Sequence, residues 1–121
     1  MPKHILVVDD SESIREVLAF SLMKAGFEVM TAFDGNDALQ FFDGRPIDLL
    51  LTDYHMPNLN GLELMLKVRQ FERYKFIPII VLTTENQSEI IRKAKNSGAT
   101  GWLTKPFNTE KLILTLRKVI R

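Results

Sequence analysis

The sequence contains no cysteine in its 121 residues, which excludes a disulfide framework, a cysteine zinc site and a cysteine nucleophile. It also lacks any run of about 18 apolar residues, so it offers no candidate membrane span. Its composition, 45% hydrophobic and 26% charged, is that of a folded globular chain. This length favours one domain with a single core, and we expect that domain to span residues 1–121.

An export signal and an excess of basic charge are missing as well. The N-terminal segment leads directly into a strand-like run without signal-peptide anatomy, so we expect a cytoplasmic location. The formal net charge of +1 argues against general binding to nucleic acid. Residues 1–60 nevertheless hold ten acids and four bases, whereas residues 86–121 hold two acids and eight bases. The two parts are expected to differ in role, unless the bases only solvate helix faces.

Five apolar runs at regular spacing predict five strands. They are Ile5–Val8, Phe27–Thr31, Leu49–Thr52, Ile77–Leu82 and Trp102–Thr104. Helical periodicity follows each run and predicts helices over about Ser13–Ala25, Asn36–Phe42, Gly61–Phe71, Ser88–Ser97 and Thr109–Ile120. The first, third and fourth runs are nearly continuous, as in strands buried on both faces of a parallel sheet. A βα unit repeated five times predicts an α/β fold, a doubly wound three-layer sandwich.

The predicted helix ends carry capping signals. Ser13 and Glu16 have the spacing of a capping box at the start of the first helix, and Asn60 and Glu63 form a similar pair before the third. Gly26 follows the first helix, where a residue free to adopt a positive φ is favoured.

Polar residues follow four of the five predicted strands. Asp9 and Asp10 end the first strand, Asp53 ends the third, and Thr83 and Lys105 end the fourth and fifth. Ligands of an open parallel sheet bind at the carboxyl ends of the strands, so we expect these side chains to share one rim. Neighbouring carboxylates repel one another unless a divalent cation intervenes, and lysine suits phosphate. The set predicts a magnesium-assisted phosphoryl site, the alternative being ordinary turn and cap residues.

The order of these motifs resembles the receiver domain of two-component response regulators, and is similar to the stand-alone chemotaxis-type regulators. The motifs are Val7-Val8-Asp9-Asp10, Asp53 with Met56-Pro57 and Asn60-Gly61, Thr83, and Lys105-Pro106-Phe107. Each motif alone is weak, whereas their order and spacing across Lys3 to Ile120 are specific. The resemblance implies a flavodoxin-like fold with a five-stranded parallel sheet in the order 2-1-3-4-5.

The resemblance also implies a phosphorylation site that uses Mg²⁺, for which Mn²⁺ can substitute. Asp53 would accept a phosphoryl group from the phosphohistidine of a sensor histidine kinase or of a phosphotransfer domain in a phosphorelay. Asp10 would ligate Mg²⁺ directly, Asp9 mainly through water, and Asp53 and the backbone carbonyl of His55 would complete the protein ligands. Such a domain is not an enzyme with a separate substrate, although it promotes its own phosphoryl transfer and dephosphorylation.

The remaining implied roles concern signal output. Lys105 would pair with a phosphoryl oxygen, or with Asp53 in the unmodified site, and its bond to Pro106 is usually cis in the family. Thr83 would donate its hydroxyl to the phosphoryl group, and Trp102 occupies the position of the switch aromatic. Tyrosine or phenylalanine is more usual there, so Trp102 is a departure, and a plain packed aromatic is the alternative. His55, Thr84 and Glu85 are expected to alter the lifetime of the phosphoryl group.

The family's output face comprises the fourth helix, fifth strand and fifth helix, and here it is rich in bases. They are Arg92, Lys93, Lys95, Lys111, Arg117, Lys118 and Arg121. An acidic or amphipathic segment of a downstream target protein would suit this face. We expect no nucleic-acid contact, no membrane insertion, and a monomer or a weak phosphorylation-dependent dimer.

Three other interpretations stay open at this point. The chain could be a receiver module excised from a multidomain regulator or hybrid kinase. It could be a magnesium-dependent phosphohydrolase that uses Asp53 as nucleophile, although His55 stands where the haloacid-dehalogenase class has a second aspartate. A flavodoxin-type cofactor binder has the same topology, but the acids after the first strand would repel its phosphate and no glycine-rich phosphate motif is present.

Overall fold

The computed structural model describes residues 2–84 and 88–120, apart from the side chains of residues 88–90. Strands and helices alternate along the chain. They are β1 (His4–Val8), α1 (Glu12–Lys24), β2 (Glu28–Ala32), α2 (Gly35–Leu39), β3 (Leu49–Asp53), α3 (Gly61–Val68), β4 (Ile79–Thr83), α4 (Ser88–Asn96), β5 (Gly101–Thr104) and α5 (Thr109–Val119). None of the described helices is long and apolar enough to cross a bilayer. Glu85 and Arg121, which the sequence analysis singled out, lie outside the described residues.

The strands form one sheet in the order β2-β1-β3-β4-β5, and every neighbouring pair is parallel. The predicted fold class and strand order are therefore confirmed. The register places Val8 opposite Thr52, and Thr83 opposite Thr104. The carboxyl ends of β1, β3, β4 and β5 consequently meet along one edge, which we call the carboxyl edge.

Helices cover the sheet on both sides and enclose two apolar cores. Successive residues of each central strand point to opposite sides, as the period of two requires. Leu6 and Val8 thus belong to the core under α2 and α3, whereas Ile5 and Val7 belong to the core under α1 and α5. α4 contacts β5. All residues of β3 and β4 are buried, which confirms the prediction from their continuous apolar runs.

The capping signals were predicted correctly at α3 and wrongly at α1. Asn60 and Glu63 form a reciprocal capping box, and Gly26 has a φ of 100°. The N-cap of α1, however, is Ser11 rather than Ser13, and its hydroxyl accepts a hydrogen bond from the Ile14 backbone N–H. The helix therefore begins two residues after the carboxylate pair.

Two helices end three residues earlier than predicted because their last turns tighten. α2 ends at Leu39 and α3 at Val68, and i→i−3 backbone bonds follow both ends. The tightened turn after α2 contributes Phe42, whose ring lies 6.1 Å from that of Phe71 and 4.9 Å from that of Tyr74. Aromatic packing between the two segments thus replaces the final helical turns.

Candidate functional site

Three carboxylates meet at the carboxyl edge. Asp9 directly follows β1 and is fully buried, Asp53 is the last residue of β3 and is 6% exposed, and Asp10 is exposed. One oxygen from each lies within 4.8 Å of the others. Parallel pairing of β1 with β3 positions them, since both strands end at the same level of the sheet.

Lys105 bridges the two buried carboxylates. Its Nζ lies 3.0 Å from Asp9 Oδ2 and 3.3 Å from Asp53 Oδ1. The backbone N–H of Lys105 donates to the Thr83 carbonyl at 2.7 Å, which attaches the residue to the end of β4. The bond from Lys105 to Pro106 is cis. The ammonium thus enters from β5 to a site whose acids come from β1 and β3.

The charges in this site are only partly balanced. Burial raises the pKa of Asp53 above its ordinary value, and repulsion from Asp9 adds to the effect, while Lys105 opposes it. Burial would lower the pKa of Lys105, but its hydrogen bond to Asp9 and the nearby carboxylate charges outweigh burial and raise it. An added cation would therefore find the carboxylate oxygens short of positive charge.

Several backbone contacts that the sequence did not predict hold the acids in place. The Ser11 N–H donates to Asp9 Oδ1 at 2.9 Å, and the Arg15 guanidinium donates to the Asp9 carbonyl at 2.7 Å. Gly61 lies against the Asp53 backbone, where an added Cβ would stand 2.4 Å from the Asp53 carbonyl oxygen. The sequence predicted the helix start at Asn60 and Gly61, but no pattern in it indicated the contact of Arg15.

Residues 5–117 match the response regulator receiver domain. The chain belongs to the response regulator receiver family. It is 37% identical to the chemotaxis protein CheY1 of Helicobacter pylori over 118 residues, which cover 96% of this chain and 95% of that protein.

Solved structures of receiver domains resemble the chain closely. The chemotaxis response regulator CheY4 of Vibrio cholerae superposes with a TM-score of 0.94 at 44% identity, covering 99% of this chain and 100% of that one. The response regulator TrrA of Thermotoga maritima, in complex with Mg²⁺ and BeF, has a TM-score of 0.84 at 35% identity and covers 98% and 99%. The chain is therefore a signalling domain homologous to chemotaxis response regulators, a family of phosphorylation-activated switches.

Other relatives carry the receiver within a longer protein. The CAI-1 autoinducer sensor kinase/phosphatase CqsS of Vibrio cholerae is 39% identical over 112 residues, which are 92% of this chain but 16% of that protein. Receiver domains thus act with histidine kinases and downstream targets, either as separate proteins or as modules.

The other predicted receiver residues lie at the end of β4, on β5 and in the loop after β3. Thr83 is the last residue of β4 and is buried, whereas Thr84 is exposed. His55 lies two residues beyond Asp53 with an exposed side chain, and its ring contacts the Tyr54 ring at 4.7 Å between centroids. Trp102 is half-buried in β5 and packs against the core under α2 and α3. A hydroxyl, a loop carbonyl and an aromatic therefore all lie on the strands and loop that form the carboxyl edge.

The donor set fits a hard divalent cation. Carboxylate and carbonyl oxygens are the ligands that Mg²⁺ prefers, and water usually completes its coordination. A depression of about 400 Å³ beside the acids is lined by Asp10, His55, Met56, Pro57 and Asn60. It leaves room for water next to Asp10, the exposed member of the three carboxylates.

The basic residues of the receiver's last two helices do not form one surface. Lys93, Lys95 and Lys111 are exposed on α4 and α5. Arg117, in contrast, donates a hydrogen bond to the Ala25 carbonyl at the end of α1. The sequence groups Arg117 with the other bases, because charge counts do not show which neighbour a helix face meets.

Proposed function

We propose that residues 1–121 form a receiver domain and that Asp53 accepts a phosphoryl group from a phosphohistidine. The observation that carries the proposal is the bridge of Lys105 between Asp9 and Asp53, in a chain of the receiver family. The bridge leaves one carboxylate at the end of β3 beside a cation that can pair with a phosphoryl oxygen.

The transfer needs a nucleophile and charge compensation. A carboxylate oxygen of Asp53 attacks phosphorus, an O–P bond forms, and the N–P bond to the donor imidazole breaks with its electron pair staying on nitrogen. The acyl phosphate adds about −1.5 to −2 of charge. Lys105 would offset part of that charge by exchanging its contact with Asp53 for one with a phosphoryl oxygen, and Thr83 would donate its hydroxyl to another.

The ligands for Mg²⁺ in this proposal are Asp10, Asp53 and the His55 carbonyl, with Asp9 acting mainly through water. Mn²⁺ would serve in the same place. Bound Mg²⁺ supplies charge neutralisation at the phosphoryl oxygens. The crowding of three carboxylates within 4.8 Å supports the assignment, as does the Mg²⁺ complex of the related TrrA.

Output would proceed from Thr83 to Trp102 and the α4-β5-α5 face. A modification shifts a conformational equilibrium only by its different affinity for the two states. Thr83 and Lys105 would supply that difference, because the Lys105 N–H is bonded to the Thr83 carbonyl. The partner on this face would be an acidic or amphipathic protein segment, attracted by Lys93, Lys95 and Lys111.

The partners define the rest of the proposal. The donor would be a sensor histidine kinase or a phosphotransfer domain, and the location would be the cytoplasm, where ATP supplies phosphoryl groups. The domain would be a monomer that dimerises weakly at most, after phosphorylation. It would promote its own phosphorylation and hydrolysis, and His55 and Thr84 would influence the rate of hydrolysis.

The test uses intact mass and Trp102 fluorescence, since Trp102 is the sole tryptophan. We expect acetyl phosphate with Mg²⁺ to add one phosphoryl group per chain and to change the fluorescence, whereas Asp53→Asn shows neither effect. Lys105→Met should still be phosphorylated, but without the fluorescence change. A wild-type chain that stays unmodified with Mg²⁺, acetyl phosphate and a histidine kinase would contradict the proposal. Sustained turnover of a phosphate ester would instead favour a phosphohydrolase.

A further inference from the structure

The end of the sheet opposite the carboxylates holds a cleft that phosphoryl transfer does not use. We call it the basal cleft, lined by Asp48, Arg73, residues 76–78, Thr100 and residues 118–120. It lies where β3, β4 and β5 begin and where α5 ends. Its volume is about 660 Å³, which is within the range of clefts that bind ligands.

The basal cleft presents apolar surface to solvent. The ring of Phe76 is 86% exposed, and Ile77 beside it is half-buried. Val119 and Ile120, also half-buried, contribute apolar surface from the end of α5. A single exposed aromatic needs no explanation, but an aromatic that adjoins an apolar-lined cleft is typical of a binding site.

The charges of the basal cleft are unbalanced in favour of cations. Arg73 and Lys118 are both exposed, and neither side chain makes a hydrogen bond or an ion pair with another residue that the structure describes. Asp48 is the one acid among the described lining residues, and it is already engaged. Its Oδ2 accepts the His4 backbone N–H at 2.7 Å and lies 3.4 Å from His4 Nδ1. An anionic ligand would therefore meet two cations without partners.

We infer that the basal cleft docks an acidic peptide segment of a partner protein. An apolar side chain of the segment would pack beside Phe76, and its carboxylates would pair with Arg73 and Lys118. A bilayer surface suits the site less well, because the cleft is concave and Asp48 and Thr100 lie in its lining. Since the cleft and Asp53 are at opposite ends of the sheet, docking should not depend on phosphorylation.

The experiment uses a fluorescein-labelled peptide mixture in which one aromatic or aliphatic position is flanked on both sides by aspartate and glutamate. We expect fluorescence anisotropy to rise to saturation and to weaken with added salt. In NMR spectra, the peptides should change the chemical shifts of the backbone amides of Phe76, Thr100 and Ile120. The same peptides with lysine in place of the acids should not bind.

Matched variants locate the site. Arg73→Glu combined with Lys118→Glu should weaken binding at least about tenfold, and Phe76→Ser should do the same. Lys24→Glu combined with Lys67→Glu changes the net charge equally, but these residues lie on α1 and α3 and do not line the cleft, so the pair should leave affinity within about twofold. All of these positions are exposed, and circular dichroism would verify that each variant is folded.

Three outcomes would overturn the inference. They are no binding of the acidic mixture, equal losses from the two charge-reversed pairs, and binding only to phosphatidylglycerol vesicles, which would assign the surface to a membrane. Asp53→Asn should bind the peptides as the wild type does. The basal cleft is thus tested separately from phosphoryl transfer, and either proposal can fail alone.

Discussion

The charges of buried and part-buried side chains are compensated differently at the two ends of the sheet. At the carboxyl edge, three carboxylates share one ammonium, and two of those carboxylates are buried. At the opposite end, the part-buried guanidinium of Arg69 donates to the carbonyls of Lys75, Ile77 and Gly98 at 3.0, 2.6 and 2.6 Å. The carboxyl edge therefore retains unmatched buried charge, whereas backbone oxygens satisfy the part-buried cation at the opposite end.

This difference separates groups that stabilise the fold from groups kept for chemistry. Neutral acceptors around a part-buried cation hold the end of α3 and two loop segments together at a modest electrostatic cost. Crowded carboxylates lower stability until a cation or a proton compensates them. Perturbed pKa values cluster at functional sites for this reason, and Asp53 has such a pKa.

Lys105→Met is expected to have the largest effect on the stability of the carboxyl edge. Two buried carboxylates would then lack their cation, so we expect the free energy of unfolding to fall by about 3 kcal/mol at neutral pH. Mg²⁺ should restore part of this loss. Urea denaturation measures both effects, with the exposed Lys67→Met on α3 as control. An equal loss in the control would show that the bridge contributes nothing special.

At the opposite end, Tyr74→Phe removes a satisfied hydroxyl. Its Oη accepts the Gly44 N–H at 2.7 Å and donates to the Arg45 carbonyl at 2.8 Å. We expect a loss of about 1.5 kcal/mol in unfolding free energy and no change in phosphorylation by acetyl phosphate. Tyr54→Phe, whose hydroxyl has no such bonds among the described residues, is the control for stability. A changed phosphorylation yield in Tyr74→Phe would contradict this prediction and show that the two ends of the sheet are coupled.

Asp53→Asn should stabilise the chain while abolishing phosphorylation. The folded pKa of Asp53 lies above its ordinary value of 3.8, so the folded state binds the proton more tightly and stability falls as pH rises through that window. We expect a gain of about 1 kcal/mol at pH 7 without Mg²⁺. The wild type and the variant should converge as pH falls toward 4. Denaturation at several pH values tests this, and a variant less stable than wild type at pH 7 would contradict it.

The smallest effect is expected for His4→Asn. The imidazole lies 2.7 Å from Glu28 and 3.4 Å from Asp48, but these pairs are partly exposed and the backbone N–H of His4 keeps its own bond to Asp48. Thermal unfolding should show a loss below about 0.5 kcal/mol. A loss of unfolding free energy as large as that of Lys105→Met would contradict the proposed difference between the charged groups at the two ends of the sheet.

The sequence predicted the parts of the molecule that depend on local pattern. Continuous apolar runs identified β1, β3 and β4, and the residues after them identified the carboxylates, because parallel strands bring their carboxyl ends together. The lengths of α2 and α3 were wrong, since packing among Phe42, Phe71 and Tyr74 decides where those helices tighten. Tertiary contacts of this kind leave no local signal.

Contacts between side chains and backbone groups that are distant in the chain could not be predicted from the sequence either. The bond of Arg15 to the Asp9 carbonyl, the turn of Arg117 toward α1, and the three acceptors of Arg69 all join segments that only the fold brings together. At the start of α1, Ser13 fitted a capping pattern that Ser11 fulfils. Two serines that lie two residues apart cannot be ranked by spacing alone.

The contact of Gly61 with Asp53 also restricts the loop between them. The Gly61 N–H donates to the Tyr54 carbonyl at 2.9 Å. This hydrogen bond joins the two ends of the loop over residues 55–60 and so fixes the length of the loop. An insertion or deletion within residues 55–60 would have to break that hydrogen bond or displace β3, which carries Asp53. This segment should consequently not tolerate changes in length.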